Sequence, residues 1–204
     1  MESYVINGGN RLYGSVEVQR SKNAVLPMLA ASLLTEETVT IEECPQIADV
    51  DAMVKLLSAY SLSCTMQGSS ISVSGGNAEY TEVSPDLSKA LRSSCCLLGA
   101  SLARFGQVFL PLPGGCAIGA RPIDMHLAAL SKLGVLVREG EGGVYCRRER
   151  FSGGEVTLPY PSVGATENLM LYASLAEGET IVRGCAREPE IVDLQTLLCR
   201  MGAN

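Results

Sequence analysis

The sequence lacks several features by which common classes of protein are recognised. It contains no tryptophan and a single histidine, His126. No stretch reaches the roughly 18 apolar residues of a membrane span, and the polar segment at residues 1–9 does not resemble a secretion signal. These absences predict a cytoplasmic protein with no membrane partner.

Positive charge is also scarce. The 204 residues include 16 lysines and arginines against 22 aspartates and glutamates, which gives a net charge of −6. The basic residues form no run of the kind that contacts a phosphate backbone, so we expect no nucleic-acid partner. An anionic ligand would have to be held by a few placed cations and by the N-termini of helices.

Cysteine is plentiful, but its spacing excludes the common cysteine sites. None of the eight cysteines has the Cys-x-x-Cys spacing of zinc and redox sites. A single histidine adds few further metal ligands, and a chain without a secretion signal is not expected to carry a disulfide framework. We therefore predict no metal and no cofactor, with most cysteines serving as small buried side chains.

What the sequence does contain is an internal repeat. The tripeptide Ala-Ser-Leu recurs at residues 31–33, 100–102 and 173–175, each time within an apolar helical pattern that a β-rich segment follows. A second helical pattern comes next, and in the first two copies a hairpin with a Gly-rich turn closes the unit. The order helix, strand, helix, strand, strand predicts an α/β domain of three repeated units, the third of which is incomplete.

The middle copy carries an insertion. We expect an Asp to open and cap the second helix of each copy, at Asp51, Asp124 and Asp193. Counted from the Ser of each anchor, this Asp lies 19 residues on in the first copy (32 to 51) and in the third (174 to 193), but 23 residues on in the middle copy (101 to 124). The four additional residues fall within a loop at residues 113–122, and a loop gained by one copy of a repeated unit indicates a function.

This inserted loop carries the sharpest chemical signal. Cys116 lies between glycines with few apolar neighbours, so we expect an exposed thiol. Arg121 and free backbone N–H groups would lower the pKa of the thiol, which could then act as a nucleophile or a proton donor. The alternative is a structural cysteine in a tight turn. His126, ten residues further along, is more often structural than catalytic at such a position.

The first helix of each copy begins about ten residues before its anchor. Lys22 and Arg92 fall at two of these helix starts, and Gly164 falls at the third. Three helix N-termini on one face of a repeated fold, with two cations beside them, predict an anion site. The alternative is that both cations are solvated surface side chains.

The segment before the third helix also has a purely structural interpretation. Ser162 is a good N-cap, and Thr166 and Glu167 are typical of the first turn of a helix.

Five segments, in order along the chain, resemble the UDP-N-acetylglucosamine 1-carboxyvinyltransferases, which are enolpyruvyl transferases. They lie at residues 21–27, 104–106, 113–126, 162–166 and 186–193. The sister enzymes, the 3-phosphoshikimate 1-carboxyvinyltransferases, share the fold but lack the inserted Cys loop. The resemblance implies an inside-out α/β barrel, in which two similar domains of three repeats enclose the substrates.

The resemblance also implies a reaction. This family transfers the enolpyruvyl group of phosphoenolpyruvate to the 3′-hydroxyl of UDP-N-acetylglucosamine and releases phosphate, in the first committed step of peptidoglycan synthesis. It needs no cofactor, and through cell-wall biogenesis it serves cell shape, the cell cycle and cell division. The antibiotic fosfomycin alkylates the thiol that corresponds to Cys116.

The resemblance assigns roles by position. Cys116 is the proton donor to the methylene carbon of phosphoenolpyruvate, and Lys22 is the second catalytic residue. The implied substrate-binding residues are Lys22, Asn23, Arg92, Arg121, Pro122, Ile123, Asp124, Met125, Tyr160, Pro161, Ser162, Val163 and Gly164.

Domain organisation follows from the same comparison. Residues 1–21 would form an N-terminal strand that belongs to the other domain, with Gln19-Arg20 where the family has Ser-Gly at its hinge. Residues 22–204 would form the catalytic-loop domain, with repeats at about 22–76, 86–150 and 162–204. Family members are about twice as long, so we expect a missing C-terminal half to complete the site. The alternatives are a non-catalytic module that binds a UDP-sugar and an inactive remnant.

Overall fold

The computed structural model describes residues 3–83, 94–111, 123–140 and 142–204. The α-helices are α1 (Lys22–Ala31), α2 (Ala48–Ala59), α3 (Leu97–Phe105), α4 (Asp124–Lys132), α5 (Val163–Ala173) and α6 (Pro189–Arg200). The strands are β1 (Thr38–Ile41), β2 (Ser63–Gln67), β3 (Ser70–Ser74), β4 (Gln107–Pro111), β5 (Val135–Gly140), β6 (Gly143–Arg148), β7 (Glu155–Thr157) and β8 (Ile181–Arg183). Single 3₁₀ turns lie at Ser32–Leu34 and Ser94–Cys96.

The first two predicted units have the same architecture. Each contains helix, strand, helix and two strands, as α1-β1-α2-β2-β3 and α3-β4-α4-β5-β6. Each folds its strands into an antiparallel sheet with the last strand in the middle, in the orders β1-β3-β2 and β4-β6-β5. The predicted α/β class is confirmed.

The third unit differs in its sheet. It contributes α5, β8 and α6, and β8 pairs in parallel with β7, a strand before α5 that the sequence pattern did not predict. Across the described ranges the strands form small open sheets and no closed barrel. The number of repeats, three, stays a prediction.

The helices pack in the interior and each three-stranded sheet covers them with one face. In the first sheet Val39, Ile71 and Val73 point into the core, and their neighbours along the strands are more exposed. This alternation is the two-residue period of a half-buried strand. The first helix of each unit is buried over most of its surface: α1, α3 and α5 each bury seven residues.

Helices α3 and α5 approach each other closely at a glycine. A Cβ atom on Gly99 would lie 2.2 Å from the backbone carbonyl oxygen of Asn168, which no side chain tolerates. The start of α3 is thereby held directly against α5.

The prediction that aspartates cap the second helices is wrong. Helix α2 begins at Ala48 after the N-cap Ile47, and Asp51 lies within its first turn. Helix α6 begins at Pro189, a residue suited to the first helical position, so Asp193 lies one turn inside. In α4, Asp124 is the first helical residue and Ile123 the N-cap. Asp51 and Asp124 lie in the first turns of their helices, where a carboxylate interacts favourably with the helix dipole without capping the helix.

Residues 3–20 form no regular secondary structure. Their large apolar side chains, among them Tyr4, Leu12 and Val16, are at least 81% exposed. The expected N-terminal strand is therefore not formed in this structure, and its assignment to another domain stays a prediction. Near the end of the segment, the guanidinium of Arg20 pairs with the carboxylate of Glu43, 2.6 Å from Nε.

The described cysteines are mostly shielded from solvent. Cys44, Cys96 and Cys146 are buried, and Cys199 is exposed. The half-buried ones are Cys64, Cys95 and Cys185. Of the helices in the described ranges, none has the length and apolar character needed to cross a membrane.

Candidate functional site

Four of the predicted site residues lie outside the described residues: Arg92, Cys116, Arg121 and Pro122. The remaining ones are described, and they fall at the starts of three helices, α1, α4 and α5, and in the segment that leads into α5.

The start of α1 presents polar groups at the surface. Ser21 is the N-cap, and its Oγ accepts a hydrogen bond from the N–H of Ala24 at 3.4 Å. Lys22 and Asn23 follow, both exposed. Pro27 lies inside the helix and has no N–H, so the carbonyl of Asn23 loses its usual helical donor.

Lys22 has a carboxylate close by. Its Nζ lies 3.7 Å from Oδ2 of Asp49, in the first turn of α2, and the two side chains are 48% and 36% exposed. An ion pair this exposed contributes little to stability. Lys22 therefore keeps a solvent-facing ammonium group that can bind an anion.

The start of α4 and the segment before α5 enclose a cavity of about 370 Å³. Asp124 and Met125 line it from α4, and Tyr160 lines it from the segment before α5. The other lining residues are Ala128, Ala129 and Lys132 of α4, and Thr157, Leu158 and Pro159 of the segment that precedes Tyr160. Three of the predicted substrate-binding residues thus share one cavity.

The start of α5 is fixed by its own polar side chains. Ser162 is confirmed as the N-cap, and its Oγ accepts from the N–H of Ala165 at 3.4 Å. Thr166 donates to the carbonyl of Ser162 at 2.8 Å and accepts from the N–H of Ala186 at 3.0 Å. Val163 and Gly164 therefore offer first-turn N–H groups from a rigid helix end, as anion sites require.

A buried network supports this helix start from below. Nδ2 of Asn168 lies 3.0 Å from the carbonyl oxygen of Gly164 and 3.0 Å from Nδ1 of His126, and its Oδ1 accepts from the N–H of Gly99 at 2.6 Å. His126 is 8% exposed, and this burial lowers the pKa of its imidazole below the usual 6.5. The structure thus places His126 in a structural contact under Gly164.

Glu167 does not support the N-terminus of α5 in the way that the sequence suggested. Its side chain is 5% exposed. Burial, with smaller contributions from Cys95 and Glu190, raises the pKa of its carboxyl from 4.5 to about 8. A carboxyl with this pKa is mostly protonated at neutral pH, so it supplies little negative charge to the helix dipole.

Sequence reasoning missed the importance of Asn168 and Glu167. One signal could have found them: a run of three polar residues, Thr166 to Asn168, interrupts a helix whose other positions are largely apolar. Elsewhere in the described ranges, no group of three or more histidine, cysteine, aspartate or glutamate side chains is arranged to hold a metal ion.

The fold defines an enolpyruvyl-transferase type of domain. The crystal structure of the enolpyruvyl transferase NikO from Streptomyces tendae superposes with a TM-score of 0.85 at 24% identity, covering 97% of this chain and 46% of that one. An EPSP synthase structure from Acinetobacter baumannii superposes with a TM-score of 0.68 at 17% identity, covering 88% and 42%. At these identities the likeness shows the fold.

The chain belongs to the EPSP synthase (3-phosphoshikimate 1-carboxyvinyltransferase) family, whose sequence model matches residues 6–204. The similar curated sequences carry an enzyme name that differs from the name of this family model. A UDP-N-acetylglucosamine 1-carboxyvinyltransferase 2 from Caldanaerobacter subterraneus is 47% identical over 203 residues, and a UDP-N-acetylglucosamine 1-carboxyvinyltransferase from Nitratidesulfovibrio vulgaris is 45% identical over 203. The resemblance inferred from the five segments is confirmed.

These relatives are longer than the chain. The match covers 100% of this chain but 49% and 48% of the two relatives. The chain thus spans about half the length of the curated relatives it matches.

Proposed function

We propose that the chain forms one wall of the active site of a UDP-N-acetylglucosamine 1-carboxyvinyltransferase. The observation that carries this proposal is the 47% identity, along the whole chain, to a relative of that name. The convergence of Asp124, Met125 and Tyr160 on one cavity beside the N-terminus of α5 supports it, because a nucleotide-sugar needs both a pocket and an anion site.

The proposed reaction joins two substrates. The 3′-oxygen of UDP-N-acetylglucosamine bonds to C2 of phosphoenolpyruvate while Cys116 gives its proton to the methylene carbon C3. The hydroxyl proton leaves with a base, and C2 becomes tetrahedral. Loss of one proton from C3 and departure of phosphate from C2 then restore the double bond. The product is the enolpyruvyl ether of the sugar nucleotide.

The charges of the chain and of the two proposed substrates determine the roles of the other residues in the reaction. The chain carries a net charge of −6, whereas both substrates are polyanions. Lys22, Arg92 and Arg121 are proposed to neutralise phosphate and carboxylate groups locally, with the N–H groups at the start of α5 beside them. Asn23 is proposed to hydrogen-bond the sugar.

The remaining pocket residues are proposed to hold the uridine diphosphate. Asp124, Met125 and Tyr160 line the described cavity, and the others in this group are Pro122, Ile123, Pro161, Ser162, Val163 and Gly164.

The same proposal implies where the reaction takes place and which cellular process it serves. It places the chain in the cytoplasm, in peptidoglycan precursor synthesis, and thereby in cell-wall growth and division, with Cys116 as the thiol that fosfomycin alkylates. The polypeptide that corresponds to the other half of the relatives would supply the facing wall of the cleft.

Thiol labelling tests the assignment of Cys116. The chain is incubated with fosfomycin and UDP-N-acetylglucosamine, together with the other half taken from one of the relatives, and peptides are mapped by mass spectrometry. We expect the adduct on Cys116 alone among the eight cysteines, and none after Cys116→Ala. Modification that persists elsewhere in Cys116→Ala would overturn the assignment.

A further inference from the structure

The starts of three helices meet at one buried side chain, Asn168. Its side chain is 1% exposed, and its polar atoms contact α3 at Gly99, α4 at His126 and its own helix α5 at Gly164. The two longer-range contacts join residues 69 and 42 positions apart. Asn168 is therefore a tertiary link between helices from two different units of the chain.

The hydrogen-bond chemistry fixes the state of His126. Gly99 offers an N–H, so the side-chain atom facing it, 2.6 Å away, must be the amide oxygen of Asn168. The amide nitrogen then donates one hydrogen to the carbonyl of Gly164 and the other to Nδ1 of His126, each at 3.0 Å. Nδ1 can accept only if it carries no proton. His126 is therefore neutral, with its proton on Nε2.

The imidazole ring also contacts the backbone at the start of α5. A Cβ atom placed on Gly164 would lie 2.9 Å from Cε1 and 3.3 Å from Nε2 of His126. Gly164 therefore rests on the ring edge without room for a side chain. Along the chain, His126 directly follows Asp124 and Met125 in the first turn of α4, and these two residues line the cavity.

We propose that His126 and Asn168 are positioning residues, which hold the start of α5 at a fixed place relative to the start of α4 so that both can bind one nucleotide-sugar. The proposal rests on the proposed function for its ligand. Neither residue needs to touch the substrate, since Asn168 acts through Gly164 and His126, and His126 acts through Gly164 and the first turn of α4.

The tautomer of His126 tests the geometry without any ligand. Because the chain contains one histidine, its imidazole resonances need no assignment. In a two-dimensional ¹H–¹⁵N spectrum at pH 7.5 we expect the Nε2–H tautomer with an unprotonated Nδ1. In Asn168→Asp, a carboxylate replaces the donor and should move the proton to Nδ1. An Nδ1–H tautomer in the wild-type chain would overturn the proposal.

Two substitutions of His126 separate positioning from packing. His126→Asn keeps an acceptor near the position of Nδ1, whereas His126→Leu fills space but leaves the amide of Asn168 without an acceptor. By calorimetry with UDP-N-acetylglucosamine, we expect His126→Leu to bind about tenfold more weakly and His126→Asn to stay within about threefold of wild type. The amide resonance of Gly164 should shift in His126→Leu and return toward its wild-type position in His126→Asn.

A matched control loses a buried hydrogen bond elsewhere. Ser101→Ala in α3 removes the bond at 3.3 Å between Ser101 and Tyr60, and it should leave both the tautomer and the affinity unchanged. Equal affinities in wild type, His126→Leu and His126→Asn would overturn the inference while leaving the proposed function intact. If UDP-N-acetylglucosamine binds neither to the wild-type chain nor to its mixture with the other half of a relative, the proposed function fails instead. The tautomer and the Gly164 resonance then decide whether the pair positions α5.

Discussion

At the scale of single residues, two neighbouring polar side chains in α5 respond differently to burial. Asn168 has hydrogen-bond partners for its oxygen and for both amide hydrogens, so its burial leaves no polar atom unsatisfied. Glu167 has a carboxyl whose charge the interior disfavours, and its pKa rises to about 8. One residue links helices, and the other makes stability depend on pH.

The sign of that pH dependence follows from the two states of the chain. The carboxyl of Glu167 has a pKa of about 8 in the folded state against an ordinary 4.5. Between these values the folded chain binds more protons than the unfolded chain, so the contribution of Glu167 to the free energy of unfolding falls as pH rises from 4.5 to about 8. Below pH 4.5 the carboxyl is protonated in both states and the contribution is constant.

Glu167→Gln removes this dependence while keeping the shape of the side chain. We expect the variant to unfold like wild type at pH 4.5 and to be more stable at pH 8.5, by about 2 kcal/mol or more. Urea unfolding at the two pH values measures the difference. Glu179→Gln, at an exposed glutamate, is the control and should follow the wild-type chain at both. A variant that gains no stability at pH 8.5 would show that the Glu167 carboxyl is not buried as described.

At the scale of elements, the position of α5 depends on close backbone contact. Gly99 brings α3 onto α5, and Asn168 bridges the same contact through its side chain. The first helices of two units therefore touch where one hydrogen bond also joins them. Both contacts fix the position of α5, the helix whose start carries the proposed anion site.

Gly99→Ala is expected to disrupt that contact. The added Cβ would meet the carbonyl oxygen of Asn168 at 2.2 Å, so the two helices must separate. We expect a loss of about 3 kcal/mol in the free energy of unfolding, measured by urea denaturation. In Gly76→Ala the nearest atom would lie 3.6 Å away, an ordinary contact, and that variant should lose less than about 0.5 kcal/mol. Similar losses in both variants would contradict the account of this contact.

Secondary-structure elements with a strong hydrophobic period in their sequence were predictable. Elements that depend on tertiary contacts were not. The segments at residues 38–41, 107–110 and 135–137 alternate or are rich in β-branched residues, and each falls within an observed strand. β7 has three residues and pairs in parallel with a strand 26 positions along the chain, Glu155 with Ile181. No local pattern specifies such a pairing.

The candidate site also has features that the sequence predicts and features that it does not. Ser162 was predictable as an N-cap, because capping is a local interaction within four residues. The network of Asn168 was not, because its partners lie 42 and 69 residues away in sequence and meet only once the helices have packed. The caps expected at Asp51 and Asp193 failed for a local reason, since the helices begin a turn earlier.

At the scale of the whole molecule, the described residues present one face of the proposed site. Lys22 exposes its ammonium group, and the start of α5 offers N–H groups beside a cavity of about 370 Å³. Apolar side chains at residues 4–18 are exposed as well, and the assignment of this segment to another domain stays a prediction. About half of each relative lies beyond the match. A facing polypeptide is therefore central to the proposed activity.

Phosphate release tests this account most directly. The chain is assayed with phosphoenolpyruvate and UDP-N-acetylglucosamine, first alone and then mixed with the other half of the Caldanaerobacter relative, with Cys116→Ala as the inactive control. We expect phosphate release that requires both substrates from the mixture and none from either polypeptide alone. Turnover by the 204-residue chain alone, or equal turnover by Cys116→Ala in the mixture, would contradict the account.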